Sequence, residues 1–352
     1  MKKQLPFLAM LLAMALSFAL SSCGQGHDPI APTTSTASST TTISSTSTTT
    51  TVHTSTSTTT TTTTSTTTTT FLIYVIDSHD RVAKMTDLNA SNWLTYGSSG
   101  SSQGQFISPQ ALSLDQNGKI YIGDVGNSRI VRFDDMSGTN WAATGEAGSG
   151  TGKFGAPRGI AIDNNSGKIY VVDSSNDRIV AMNSMSGTGW TNFGTSGHST
   201  NNFSSPWGVA LDSSGRIYVA DAGNNRVARF DNMTGGNWKT YGVSGTGVGQ
   251  FSTPYGIAIN QTTNQIYIAD AANNRIVRMN DMNGNGWVST GETGSGALQF
   301  STPFAIALDA SGRIYVADWG NNRVARMDDM NGTNWVTSEA GQFNSPLGIA
   351  VY

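Results

Sequence analysis

The sequence predicts an all-β ring built from repeated four-stranded sheets. Three observations predict it. The phrase Arg313-Ile-Tyr-Val-Ala-Asp-Trp-Gly-Asn-Asn-Arg-Val-Ala-Arg326 reads as two short strands, Ile314 to Asp318 and Arg323 to Met327, joined by a tight polar turn. Ile, Tyr and Val suit a pleated strand, and Gly-Asn-Asn suits a turn that visits φ > 0. The phrase occurs six times, closing on Asp77, Asp124, Asp173, Asp221, Asp270 and Asp318, at steps of 47, 49, 48, 49 and 48 residues. Each unit also carries glycine and aromatic marks at fixed places. Four short strands per unit with such marks are the signature of a propeller blade.

Taken in order, the chain opens with a leader. Met1-Lys-Lys is followed by an apolar run from Leu8 to Leu20, too short for a spanning anchor. The run ends Leu20-Ser21-Ser22-Cys23-Gly24, which resembles the bacterial lipobox. That resemblance implies cleavage after residue 22 and acylation of Cys23, the only cysteine in the chain. Several acyl chains on one residue give stable anchoring, at about 0.8 kcal/mol per buried CH₂. Gly24 is not the Asp that retains such proteins at an inner membrane. In a Gram-negative cell the resemblance therefore implies the outer membrane and an extracytoplasmic head.

Residues 23–70 form the expected tether. Between 31 and 70, 34 of 40 positions are Ser or Thr. Almost nothing apolar is there to bury, so ordering entropy wins. The composition also resembles O-glycosylated stalks.

Residues 71–352 are one all-β domain. Each unit is read as four strands. The first is of the Gly-Ile-Ala type, Ile160 to Asp163, Val209 to Asp212, Ile257 to Asn260 and Ile306 to Asp309. The second and third are the paired phrase. The fourth carries Trp93, Trp141, Trp190, Trp238, Trp287 or Trp335. A glycine-rich loop then reaches Phe and Pro before the next unit. Met136, Met185, Met233, Met282 and Met330 lie five residues before a tryptophan and read as hairpin packing.

The phrase Pro-x-Gly-Ile-Ala…Asp…Gly-Arg-Ile-Tyr-Val-Ala-Asp…Asn-Asn-Arg-Val, as in residues 206–227, resembles the NHL repeat. That resemblance implies a six-bladed β-propeller with four antiparallel strands per blade. The domain begins in a second strand at Phe71-Leu-Ile-Tyr and stops after a first strand at Leu347-Gly-Ile-Ala-Val-Tyr352. The C-terminal strand is therefore expected to complete the N-terminal blade, which removes an exposed edge.

Asp and Arg recur as pairs in every unit, and an element needed in every blade reads as a fold element. Differences between blades point instead to function. The residue after each repeat proline is Gln110, Arg158, Trp207, Tyr255, Phe304 and Leu347. These six are expected to circle one mouth of the channel, with Trp207, Tyr255 and Phe304 as an aromatic arc suited to binding or to packing against neighbouring loops. Trp319 stands in a turn where other blades have Val125, Ser174, Ala222 and Ala271.

Asp281-Met-Asn283-Gly-Asn285-Gly, then Glu292, fits the spacing of the EF-hand calcium loop. The flanks read as strands, so a blade hairpin is the favoured reading. Related propeller lyases and lactonases gather histidines and acids at the channel. This head has only His79 and His198, in unlike positions, with no nucleophile motif and no phosphate loop. Removing the leader leaves 18 basic against 23 acidic residues, a net charge of −5. That balance offers no footprint for nucleic acid.

The expectation is a membrane-anchored, monomeric binding scaffold for a protein, glycan or small molecule, without a cofactor. A metal-assisted lyase or lactonase, using zinc or calcium, and a structural part of an envelope assembly are the alternatives.

Overall fold

The structure is a computed structural model, and it describes residues 71–352. The leader, Cys23 and the tether lie outside the described residues. Six four-stranded antiparallel sheets follow one another along the described chain. Their innermost strands are Gly348–Val351, Pro109–Leu114, Pro157–Ile162, Val209–Leu211, Pro254–Ile259 and Pro303–Leu308. We number the blades one to six in that order. The all-β, six-bladed propeller read from the repeats is the fold observed.

Why these residues form these strands is clearest in the second strand of each blade. Ile314–Asp318 is buried at all five positions, as are its five counterparts. A strand with neighbouring sheets on both faces has no use for polar alternation, hence the unbroken Ile-Tyr-Val-Ala. The third strand, Arg323–Met327, shows two partly exposed arginines among buried Val, Ala and Met. Burial thus peaks at the second strand, because the innermost strand, such as Pro303–Leu308, is partly exposed. Six separate apolar layers fill the six gaps between adjacent blades. The layer between blades six and one joins Tyr315 and Val324 to Ile73, Val75 and Ile349. The ring is therefore closed by packing as well as by pairing.

Closure takes the expected form. Gly348–Val351 pairs antiparallel with Ile73–Asp77, in the register Ile73↔Val351 and Val75↔Ile349. Leu72 and Tyr352 exchange two backbone hydrogen bonds of 2.9 Å at the end of the seam.

Two details differ from the sequence reading, and a third sharpens it. In four blades the innermost strand starts at the repeat proline, and a bulge follows it directly. Proline is tolerated there because a first strand position needs no donated hydrogen bond. Each of five glycine-rich loops contains a two-residue parallel bridge, such as Ser98–Ser99 with Gln105–Phe106. The turn residue with positive φ is the second asparagine or its equivalent, as at Asn225 with φ 52°. Gly223 is needed for a different reason: a Cβ there would stand 2.5 Å from Ser204 Oγ and 2.7 Å from Ser204 O.

Candidate functional site

The repeated Asp and Arg are a latch. Asp221 is fully buried and accepts from the Ser204 N–H, Asn224 Nδ2 and Arg226 Nε, each at 2.8 Å. Arg226 then donates to His198 O at 2.8 Å and Asn202 O at 2.9 Å. Asn224 donates to Gly197 O at 2.9 Å. One carboxylate and its two partners thereby hold the glycine-rich loop that enters the blade. Blades two, three, five and six repeat the same arrangement around Asp124, Asp173, Asp270 and Asp318. Burial raises the carboxyls of Asp221, Asp270 and Asp318 above their ordinary range, against the lowering pull of their hydrogen-bond donors.

The tryptophans complete the latch. Trp238 packs 5.4 Å from the buried Phe203 of the same loop, and Arg226 stands 5.9 Å from its ring centroid. The Trp190 indole donates to Asn192 Oδ1 at 2.9 Å. Met282 and Met330 are buried in interblade layers, the packing role read for them.

The six residues that follow the repeat prolines converge at one end of the channel. Gln110, Arg158, Trp207, Tyr255, Phe304 and Leu347 all line one cavity of about 80 Å³. Trp207 and Tyr255 lie 4.2 Å apart between centroids, and Phe304 meets Trp207 edge-on at 5.1 Å. The Arg158 guanidinium sits 4.1 Å from the Trp207 ring centroid. Burial pushes Arg158 down to about 10 and Tyr255 up to about 12. Trp319 joins the same cluster, 6.3 Å from Phe304, and is only half-buried.

The arc is thus a plug whose rings pack on one another; Trp207, Tyr255 and Phe304 keep 5, 6 and 9% of their surface exposed. Ala222 and Ala271, at the positions equivalent to Trp319, leave room for these rings. Next to the plug the backbones crowd together. A Cβ on Gly208 would stand 2.5 Å from Tyr255 O.

The opposite end is wide, with a cavity of about 600 Å³. Its lining includes a ring of small side chains, one from each blade: Ser113, Ala161, Ala210, Ala258, Ala307 and Ala350. The sequence reading did not single out this mouth. The signal was present in the alanine of each Gly-Ile-Ala strand, which reads equally well as ordinary strand packing.

The calcium-loop residues do not come together as a ligand set. Asp281 accepts from the backbone N–H groups of Asn283 and Asn285 and from Asn285 Nδ2, which lowers its carboxyl. Glu292 sits in a separate parallel bridge and accepts from Gln299 Nε2 at 3.0 Å. The same turn recurs at Asp329 with Asn331 and Thr333. Calorimetric titration of the chain with calcium is expected to give no heat beyond dilution. Binding heat that disappears in Asp281→Ala would restore the site.

His79 has a fold role. Its Nδ1 lies 3.1 Å from Asp77 Oδ2, in the place that asparagine Nδ2 takes in the other blades. Among the described residues, no three His, Cys, Asp or Glu side chains gather as a metal set.

A family model described as NHL repeat matches residues 106–133, 154–182, 203–230 and 300–327. The chain carries NHL repeats. Of the two blades beyond these matches, blade one is split between the ends of the domain. Blade five has Asn260 and Gln265 where the matched repeats have Asp and a basic residue.

No curated protein matches the chain. Among solved structures, one from a nidogen/laminin complex has a TM-score of 0.62 at 20% identity, over 80% of this chain and 98% of that one. A streptogramin B lyase gives 0.55 at 17% identity, over 79% and 83%. A catalytically inactive virginiamycin B lyase from Staphylococcus aureus, with quinupristin, gives 0.51 at 15% identity, over 78% and 87%. At these identities the likeness is one of fold.

Proposed function

We propose that the chain is a lipid-anchored, extracytoplasmic scaffold that binds a protein partner on the plugged face of its NHL propeller. One observation carries the reading. The positions that vary from blade to blade, within an otherwise repeated ring, collect at a single mouth and form one aromatic cluster beside Arg158. Aromatic and arginine side chains are enriched at binding hot spots. A cavity of about 80 Å³ holds about two or three waters at ~30 Å³ each. A ligand on this face must therefore dock across the plug and cannot enter it. Trp319, half-buried at the edge of the cluster, offers the aromatic surface for that docking.

The test places a photo-crosslinking amino acid at Trp319, and separately at Lys239 on an outer strand, in whole cells. Crosslinks to a defined partner from position 319 and not from 239 are the expected result. Identical adducts from both positions, or none from 319, would remove this face from consideration.

The anchor rests on Cys23 and its lipobox-like context. Palmitate labelling is expected in the parent chain and absent from Cys23→Ser. Labelling that survives the substitution would overturn the anchor and, with it, the expected outer-membrane address in a Gram-negative cell. The lyase reading gains no side-chain set from the geometry: His79 is held by Asp77 in an asparagine's place.

A further inference from the structure

We propose that the wide mouth of the channel binds a neutral amphiphile bearing hydroxyl donors, a molecule of the alkyl-glycoside kind. The cavity there measures about 600 Å³, inside the ~300–1,000 Å³ range of small-molecule sites. It lies towards the opposite end of the innermost strands from the plug, and the two cavities share Leu112, Ile160, Val209, Ile257 and Ile349 between them.

Three features set the chemistry of the occupant. The first is a mixed wall. Aliphatic side chains flank the ring of small residues on every blade, with polar side chains such as Asn164 and Gln261 beside them, so the cavity suits a body that is part apolar and part polar.

The second is the sign of the charge at the rim. The two carboxylates at the rim belong to Asp163 and Asp212, and no Lys or Arg lines the cavity. Asp212 accepts from Arg216 Nε at 2.5 Å and from the Tyr218 hydroxyl at 3.0 Å. Asp163 accepts from the Ser166 hydroxyl and from the Asn165 N–H. An anionic ligand would lose hydration there and meet two carboxylates with no counter-charge, whereas a neutral one escapes that cost.

The third is the peptide edge. The innermost strand is an edge strand, so alternate peptide groups face the channel. Gln261 shows what they take. Its Nε2 donates to Leu211 O at 2.9 Å and to Ile259 O at 3.2 Å, bridging blades four and five at the rim. Hydroxyls of a ligand headgroup would serve as donors in the same way. The apolar tail then lies deeper, towards the plug.

The test uses the full chain and octyl glucoside below its micellar concentration. Ser113, on the ring of small residues, is replaced by Ser113→Cys, and the exposed Ser99 by Ser99→Cys as a control. Alkylation is followed by peptide mapping, which separates either site from Cys23. At a tenfold excess over its dissociation constant, octyl glucoside should slow alkylation in the Ser113→Cys variant about tenfold. The Ser99→Cys rate should not change. Glucose and octanoate at the same concentration should protect neither site, because one lacks the apolar tail and the other is charged. Ala258→Phe, which fills the cavity, should abolish the protection; should that variant fail to fold, the Ser113→Cys result decides alone. Equal rates with and without octyl glucoside would overturn the proposal, as would equal protection by octanoate or by glucose.

Discussion

Deletion of residues 348–352 is expected to cost more than about 5 kcal/mol and to make the chain aggregate, because two kinds of closure fail together. The strand Ile73–Asp77 would lose its partner and present a bare edge. Ile349, 5% exposed in the layer between blades six and one, would vanish from that layer. Ile349→Ala, which keeps the pairing and loses the side chain, should cost about 2–4 kcal/mol. Urea unfolding of the three chains measures both effects. A truncated chain with the parent's midpoint would show that the ring does not depend on this seam.

Asp221→Ala is the second large effect, at about 3–5 kcal/mol, since it removes the only counter-charge of Arg226 in the latch and one acceptor each from Asn224 and the Ser204 N–H. Asp281→Ala, in an exposed turn, should stay within about 1 kcal/mol and serves as the comparison. The acid side carries a sign. Burial raises Asp221 in the folded chain. A carboxyl raised on folding contributes stability that is complete below its unfolded value of about 3.9 and is lost as pH rises through the folded value. The stability difference between the parent and Asp221→Asn should therefore shrink as pH rises from about 4 to 7. A difference that widens over that interval would show that the ion pair with Arg226 outweighs burial.

The ring was legible because its causes are local and repeated. Ile-Tyr-Val-Ala-Asp followed by Asn-Asn-Arg states a strand, a turn and a strand within a dozen residues. Six copies then leave few arrangements, and the split first blade points to closure. The convergence of Gln110, Arg158, Trp207, Tyr255, Phe304 and Leu347 was legible for the same reason, since equivalent positions in a ring must meet.

What escaped the sequence depends on contacts between blades. The rings of Trp207, Tyr255 and Phe304 bury one another, because Ala222 and Ala271 make room beside them and Gly208 lets the strands close up. None of those pairings is written within one repeat. The loop bridges, such as Ser98–Ser99 with Gln105–Phe106, were equally hidden. Their glycine-rich sequence lacks any strand signal, and the latch holds them from outside.

The unequal ends of the central passage give the disc two different faces. With about 80 Å³ at one end and about 600 Å³ at the other, only the wide side has room for a body larger than a few waters. A molecule lodged there has the packed rings of Trp207, Tyr255 and Phe304 behind it.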